Sequence, residues 1–249
     1  MKFYFMGAGE RRQMVIIYAT PMFCVNHNLW HSKWKGILSG RHTMIASRSI
    51  VVFDLGGVLV DWNPRYLYRK LFGGDESAME HFLATICTQS WNERQDAGRS
   101  LAEASASLKS LHPSEAELID AWFERYDEML AGPIQGTVDL LAELRACAIP
   151  LYALSNWSAE TFPIAIKRFE FLLWFQGILL SGEAQLLKPD PRLFQLFFER
   201  FAIDPTDAIY IDDSRPNVET ATALGMHGIL FTDPAALRTE LVTTGLIRG

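Results

Sequence analysis

Apolar residues along the chain fall into two patterns. Short unbroken runs occur at "SIVVFDL" (49–55), "IPLYALS" (149–155), "GILLS" (177–181), "DAIYIDD" (207–213) and "HGILF" (227–231). Runs of this length without polar alternation mark strands covered on both faces. Helical patterns lie between them. "TVDLLAELRACA" (137–148) repeats apolar residues at three- and four-residue spacing. "DPRLFQLFFERFA" (190–202) opens with Asp190 placed to cap a helix and Pro191 at its first position. "RPNVETATALG" (215–225) closes on a glycine suited to a helix C-terminus. This alternation predicts an α/β fold, a Rossmann-like parallel sheet with helices on both faces. Ligands in such folds bind at the carboxyl ends of the strands.

The first two sheet strands are separated by a long insert, residues 62–134, whose pattern is helical throughout. Asn63-Pro64, Asp75 and Ser100 each read as a helix start, and "PSEAELIDAWFERYDEML" (113–130) reads as one long amphipathic helix. A connection of this length is not a loop. The expected organisation is therefore a core of residues 48–61 and 135–249, an inserted helical cap over residues 62–134, and an N-terminal extension, residues 1–47, outside the domain.

Composition adds three constraints. A net charge of -6 argues against nucleic acid as a partner. The charge is uneven, however: residues 1–49 carry seven Lys/Arg against one acid, Glu10. That segment holds the apolar run "MVIIYATPMFCV" behind Arg11 and Arg12, which resembles a signal peptide but is interrupted by Pro21 and lacks a small-residue cleavage site. The favoured alternative takes Met44 as the natural start and the first 43 residues as an extension with no domain role. Cys24, Cys87 and Cys147 show neither metal nor disulfide spacing, and His27 and His31, four apart, have no third ligand near them. No stretch reaches the roughly 20 apolar residues of a membrane span, and a reducing, cytoplasmic setting is expected.

Four polar features stand at strand ends or beside them: Asp54 after "VVF", Ser155-Asn156 after "YAL", Lys188-Pro189 before the 190–202 helix, and Asp212-Asp213 after "IYI". Taken singly, each has a plain alternative as a turn, a cap or a surface charge. In this order on a parallel sheet they converge on one crevice. Carboxylates packed together need a cation or must take up protons. Oxygen-only ligands select a hard ion such as Mg²⁺, which shares a phosphate oxygen. Lys188, with no evident packing role, supplies a fixed positive charge, and a carboxylate beside the ion can attack phosphorus.

The set Asp54-Leu55-Gly56-Gly57-Val58-Leu59, Leu154-Ser155-Asn156, Lys188-Pro189 and Ile211-Asp212-Asp213-Ser214 through Asn217 resembles the haloacid dehalogenase-like hydrolase superfamily over about residues 48–245. "DLGGVLVDW" and "DDSRPN" are most similar to its sugar-phosphate phosphatase branch, which includes glucose-1-phosphate phosphatases, and the insert looks like that superfamily's small helical cap. The resemblance implies a Mg²⁺-dependent phosphatase acting on a small phosphorylated metabolite; the lack of an apolar span leads us to expect no membrane partner. It implies Asp54 as nucleophile and metal ligand, the Gly56 carbonyl as a second ligand, and Asp213 as a third. Ser155 and Asn156 would hold the phosphoryl group, Lys188 would bridge it to Asp54, and Asp212 and Asn217 would support the metal. "SWNERQDAGRS" (90–100) resembles the cap loop that faces the site, which makes Trp91, Arg94 and Asp96 expected substrate contacts, with Trp157 as a further wall.

One position departs from the pattern. Most phosphatases of the superfamily carry a second aspartate two residues after the nucleophile, as general acid and base; here that position is Gly56. Three readings follow: a phosphatase that borrows another group or water, a dehalogenase that needs no leaving-group proton, or a binding protein without catalysis. The retained acids Asp212 and Asp213 favour phosphate and metal. Asp61, seven residues after Asp54, is a candidate substitute acid, with capping of the helix at Asn63-Pro64 as its competing role. A two-component receiver domain is set aside because its acidic pair precedes the phosphoacceptor. Because the core pattern begins near Ile50, a chain starting at Met44 is expected to keep the melting temperature and turnover of the full chain, as thermal unfolding and a phosphatase assay would show.

Overall fold

The computed structural model describes residues 49–248. The basic N-terminal segment, with Cys24, His27, His31 and Met44, lies outside the described residues. From Ser49 the chain forms β1 (Ile50–Phe53), turns tightly, and enters β2 (Val60–Trp62). The insert follows as α1 (Arg65–Leu71), α2 (Glu76–Thr85), α3 (Gln89–Asp96), α4 (Leu101–Leu111) and α5 (Ala116–Glu124), and β3 (Leu130–Pro133) brings the chain back. The remainder runs α6 (Gln135–Ala146), β4 (Leu151–Ser155), α7 (Phe162–Arg168), β5 (Gly177–Leu180), α8 (Ser181–Ala184), α9 (Pro191–Phe201), β6 (Ala208–Asp212), α10 (Arg215–Ala223), β7 (His227–Leu230) and α11 (Pro234–Thr243).

The sheet order is β5-β4-β1-β6-β7, with every pairing parallel. The expected doubly covered sheet is present, and its two faces explain the unbroken apolar runs. Val51, Phe53, Leu151, Ala153, Ile209 and Ile211 belong to one buried cluster, while Val52, Leu154, Ala208 and Tyr210 belong to another. Consecutive strand residues thus point into different cores, and neither set meets water. Each fully buried Val or Ile contributes about 1.5–3 kcal/mol relative to exposure.

Topology places the polar strand ends. β1 is central, with β4 and β6 on either side. Phe53 lies level with Ala153 and Ile211, so the residues just beyond them, Asp54, Ser155 and Asp212, emerge together at the carboxyl edge. The Asp54 amide donates to the Ile211 carbonyl at 2.8 Å, which extends the ladder to the edge itself.

β2 and β3 form an antiparallel pair that was not evident from the sequence. It joins the insert to the sheet. The hydrophobic cluster on one sheet face continues into the insert through Leu67, Tyr68, Phe82, Trp91 and Trp122. Aromatic rings dominate there: Tyr68 lies 4.9 Å from Phe82, and Trp91 meets Trp122 edge-on at 5.3 Å, arrangements that add to the burial itself.

Asp75, Ser100 and Asp190 cap α2, α4 and α9 as expected, each accepting a backbone N–H from the first turn. Two expectations fail. The stretch 113–130 is not one helix: 3-10 turns at Pro113–Glu115 and Tyr126–Met129 flank α5. The tighter turn buries both Tyr126 and Met129, three residues apart, as a three-residue period requires. The stretch 90–100 is not a loop either. Its first part is helix α3, capped by the Thr88 hydroxyl, and only Ala97–Arg99 turn, with Gly98 at a φ of +96°.

Candidate active site

Lys188 sits at the centre of the strand-end cluster. Its ammonium lies 3.0 Å from Asp54 Oδ1 and 2.7 Å from Asp212 Oδ2, and donates to the Leu154 carbonyl at 3.0 Å. It is only 4% exposed. Burial pulls its pKa down, but Asp54 and Asp212 outweigh that effect and hold it above the usual lysine range. The expectation that Lys188 has no packing role is therefore wrong. It is the buried counter-charge to two carboxylates, and removing it would leave both uncompensated.

Asp54 Oδ1 also accepts the Ser155 hydroxyl at 2.8 Å and the Leu55 amide at 2.7 Å. Burial pushes its pKa up to about 7 against the pull of Lys188, with Asp212 adding to the rise. Asp212 is wholly buried. It accepts from Lys188, the Tyr210 hydroxyl, the Ser214 amide and, at both oxygens, the Asn217 amide group. Asn217 therefore lies behind Asp212 and is bonded to it.

Asp213 differs from its neighbour. It is exposed, and its carboxylate is bonded to no other residue among the described ones. Partial burial and the nearby Asp212 raise its pKa. Asp54, Asp212 and Asp213 each offer an oxygen within 4.8 Å of the others, a donor set suited to a hard divalent cation. Since both Asp212 oxygens are already engaged, Asp54 and Asp213 are the acids free to face such an ion. Asp212 holds the ammonium as well as offering an oxygen to the cluster. The fit shows at Gly57 as well. Its φ is +75°, and a Cβ there would lie 2.3 Å from Asp213 Oδ2. Only glycine lets the loop pass beside that carboxylate.

The cluster opens into a cavity of about 820 Å³ whose lining includes Asp54, Gly56, Ser155, Asn156, Trp157, Lys188 and Asp213. Asn156 lines it, yet its amide is taken by the Lys188 backbone: Oδ1 accepts the Lys188 N–H at 2.8 Å and Nδ2 donates to its carbonyl at 3.1 Å. Trp157 forms wall, its indole N–H held by Thr161. The insert supplies Gln89, Asn92, Glu93 and Asp96 from one face of α3.

Two expected contacts are elsewhere. Trp91 is in the insert core against Trp122 and Phe123. Arg94 is exposed, two residues from both Asn92 and Asp96, which places it off the cavity-facing side of the helix. Asp61 does not line the cavity. Its two oxygens accept the Tyr66 hydroxyl at 2.9 and 2.8 Å, and it does not cap α1. The sequence reading missed Tyr210, Gly57, Asn92 and Gln89. A three-and-four spacing of polar residues over 89–96 was the available signal for the last two, concealed by treating the stretch as a loop.

Comparison with known proteins agrees with this geometry. The family described as haloacid dehalogenase-like hydrolase matches residues 51–231. The chain belongs to that family. Among relatives of this hydrolase, Aspergillus oryzae sesquiterpene phosphatase astK is 26% identical over 80% of this chain and 97% of its own length. Mouse acyl-CoA dehydrogenase family member 10 is 28% identical over 87% of this chain, and the hydrolase spans only 21% of that longer protein. A Bacteroides thetaiotaomicron family enzyme, solved with magnesium and inorganic phosphate, is 25% identical with a TM-score of 0.57, covering 74% of this chain and 94% of its own.

Lys188→Met is expected to cost about 3–5 kcal/mol of stability, read from urea unfolding, together with loss of turnover. Gly57→Ala is expected to displace Asp213 and weaken activation by a divalent cation about 10–100-fold, measured by titrating Mg²⁺ into the metal-free protein.

Proposed function

We propose that this hydrolase is a Mg²⁺-dependent phosphatase of a small phosphorylated metabolite, a sugar phosphate being the favoured class, working through an aspartyl-phosphate on Asp54. The observation that carries this reading is the asymmetry of the acidic pair: Asp212 is saturated by protein donors, while Asp213 lies beside Asp54 with a carboxylate left for a cation. A dehalogenase needs no such group. Magnesium bound by Asp54, Asp213 and the Gly56 carbonyl would neutralise charge on the transferring phosphoryl oxygens.

The chain's own residues account for the rest. Lys188 and the Leu55 amide favour the ionised form of Asp54 and fix its orientation. Its free carboxylate oxygen attacks phosphorus, and the bond to the leaving oxygen breaks. The Ser155 hydroxyl and Lys188 are positioned to meet phosphoryl oxygens beside Asp54. Water then attacks phosphorus on the acyl phosphate, releasing phosphate and restoring Asp54. The phosphatase name of astK and the magnesium and phosphate bound to the Bacteroides enzyme support the same reading.

Turnover of a panel of phosphorylated metabolites should disappear in excess chelator and return with Mg²⁺. Acid quench during turnover should trap labelled phosphate on the wild-type chain and none on Asp54→Asn. Chelator-resistant release of halide from 2-haloacids as the better activity would instead support the dehalogenase reading.

A further inference from the structure

The phosphatase reading leaves one proton unassigned. An alkoxide leaving group must be protonated as the bond to phosphorus breaks, and Gly56 has no side chain to do it. Five carboxyl groups line the cavity: Asp54, Glu93, Asp96, Asp190 and Asp213. Asp54 and Asp213 are committed to the nucleophile and the cation. Asp190 is ion-paired with Arg192, which holds its carboxyl below the usual range. Glu93 is exposed to water on the rim. Asp61, the candidate from sequence, is bonded to Tyr66 outside the cavity.

Asp96 remains, and its surroundings are built. It closes the cavity-facing side of α3, where its Oδ2 accepts the Asn92 amide at 2.9 Å. Its backbone carbonyl accepts the Ser181 hydroxyl, and that same hydroxyl accepts the Trp157 amide at 3.0 Å. The end of α3 is thereby docked on the loop that follows Ser155-Asn156, beside the place where the phosphoryl group is held. The Ser158 amide faces the Asp96 carboxyl, Glu93 approaches along the same helix, and the buried Tyr126 phenol lies close by. Across the cavity stand the Asp190–Arg192 pair and the Asp54–Lys188 pair. No cation is paired with Asp96 among the described residues.

We propose that Asp96, carried by the helical insert, is the catalytic acid and base that replaces the side chain missing at Gly56. In the first step its carboxyl gives a proton to the leaving oxygen as the P–O bond breaks and Asp54 becomes phosphorylated. In the second, its carboxylate takes a proton from the water that attacks the acyl phosphate, restoring both groups. Burial pushes the Asp96 carboxyl up to about 7, so that near neutral pH it can both give and take a proton. The proposal rests on the phosphatase reading.

The test compares an alkyl phosphate with p-nitrophenyl phosphate, whose leaving group departs as a stable anion. Asp96→Asn is expected to lower kcat/KM, which reports the step that expels the leaving group, by about 10²–10⁴-fold for the alkyl ester and by less than about 5-fold for the aryl ester. In the wild type, the ratio of alkyl-ester to aryl-ester kcat/KM, in which the ionisation of Asp54 cancels, should decline as pH rises through about 7, because the acid then loses its proton; in Asp96→Asn that decline should vanish. A second variant separates chemistry from structure. Gly56 has a φ outside the positive range, and nothing lies within 4 Å of a Cβ placed on it, so Gly56→Asp fits there. Added to Asp96→Asn, it should restore alkyl-ester turnover at least 10-fold. Equal losses on both esters without rescue, or unchanged alkyl-ester turnover in Asp96→Asn, would overturn the assignment. Mg²⁺-dependent aryl-ester turnover that persists in Asp96→Asn would leave the phosphatase reading standing either way; its absence in the wild type would sink both.

Discussion

A buried lysine held between two carboxylates is the constraint on which the rest of this molecule depends. Lys188 is flanked by Asp54 and Asp212, and none of the three is stable in that setting without the others. The arrangement demands that two strand ends and the loop before α9 meet within hydrogen-bonding distance. The parallel sheet achieves this by placing β1 and β6 side by side. Tyr210, Ser214 and Asn217 then saturate Asp212, which leaves the ammonium to divide its charge between a fixed anion and a reactive one. Stability and chemistry draw on the same charges here, and a substitution in the cluster disturbs both.

The fold was legible where burial was complete. β1, β4, β5, β6 and β7 read as unbroken apolar runs because each strand faces two cores, and the helices beside them carry local caps such as Asp190. The β2–β3 pair was not legible. It has three and four residues, and β3 includes both Gly132 and Pro133, which argue against a strand on composition. It exists because the insert must leave and rejoin the domain at one point. The break after α5 was hidden for a related reason: an amphipathic pattern shows which face is buried but not where the helix tightens.

The site divides along the same line. Asp54, Ser155, Lys188, Asp213 and Asn217 were readable because motifs at strand ends have few places to go. The insert was not readable in that way. Trp91 looked like a substrate wall and is core, since an indole beside two other aromatics gains more from packing than from solvent. Asn92 and Gln89 went unnoticed because a polar helix face looks like an exposed one until something is known to lie opposite. Asp61 looked well placed by its distance along the chain, but β2 and the Tyr66 hydroxyl hold it away from the cavity.

The hydrogen bond from Ser155 to Asp54 joins residues 101 positions apart in the chain, and that from Lys188 to Asp212 spans a further 24. No short contiguous fragment contains the reactive cluster, and no local hairpin or helix pair approximates it. A folding chain must close the whole insert as a loop, at an entropic cost that grows only slowly with its length, before the first charge finds its partner. Desolvated charges cannot be assembled one at a time without penalty. Catalytic competence in this protein consequently belongs to the whole fold and to no part of it.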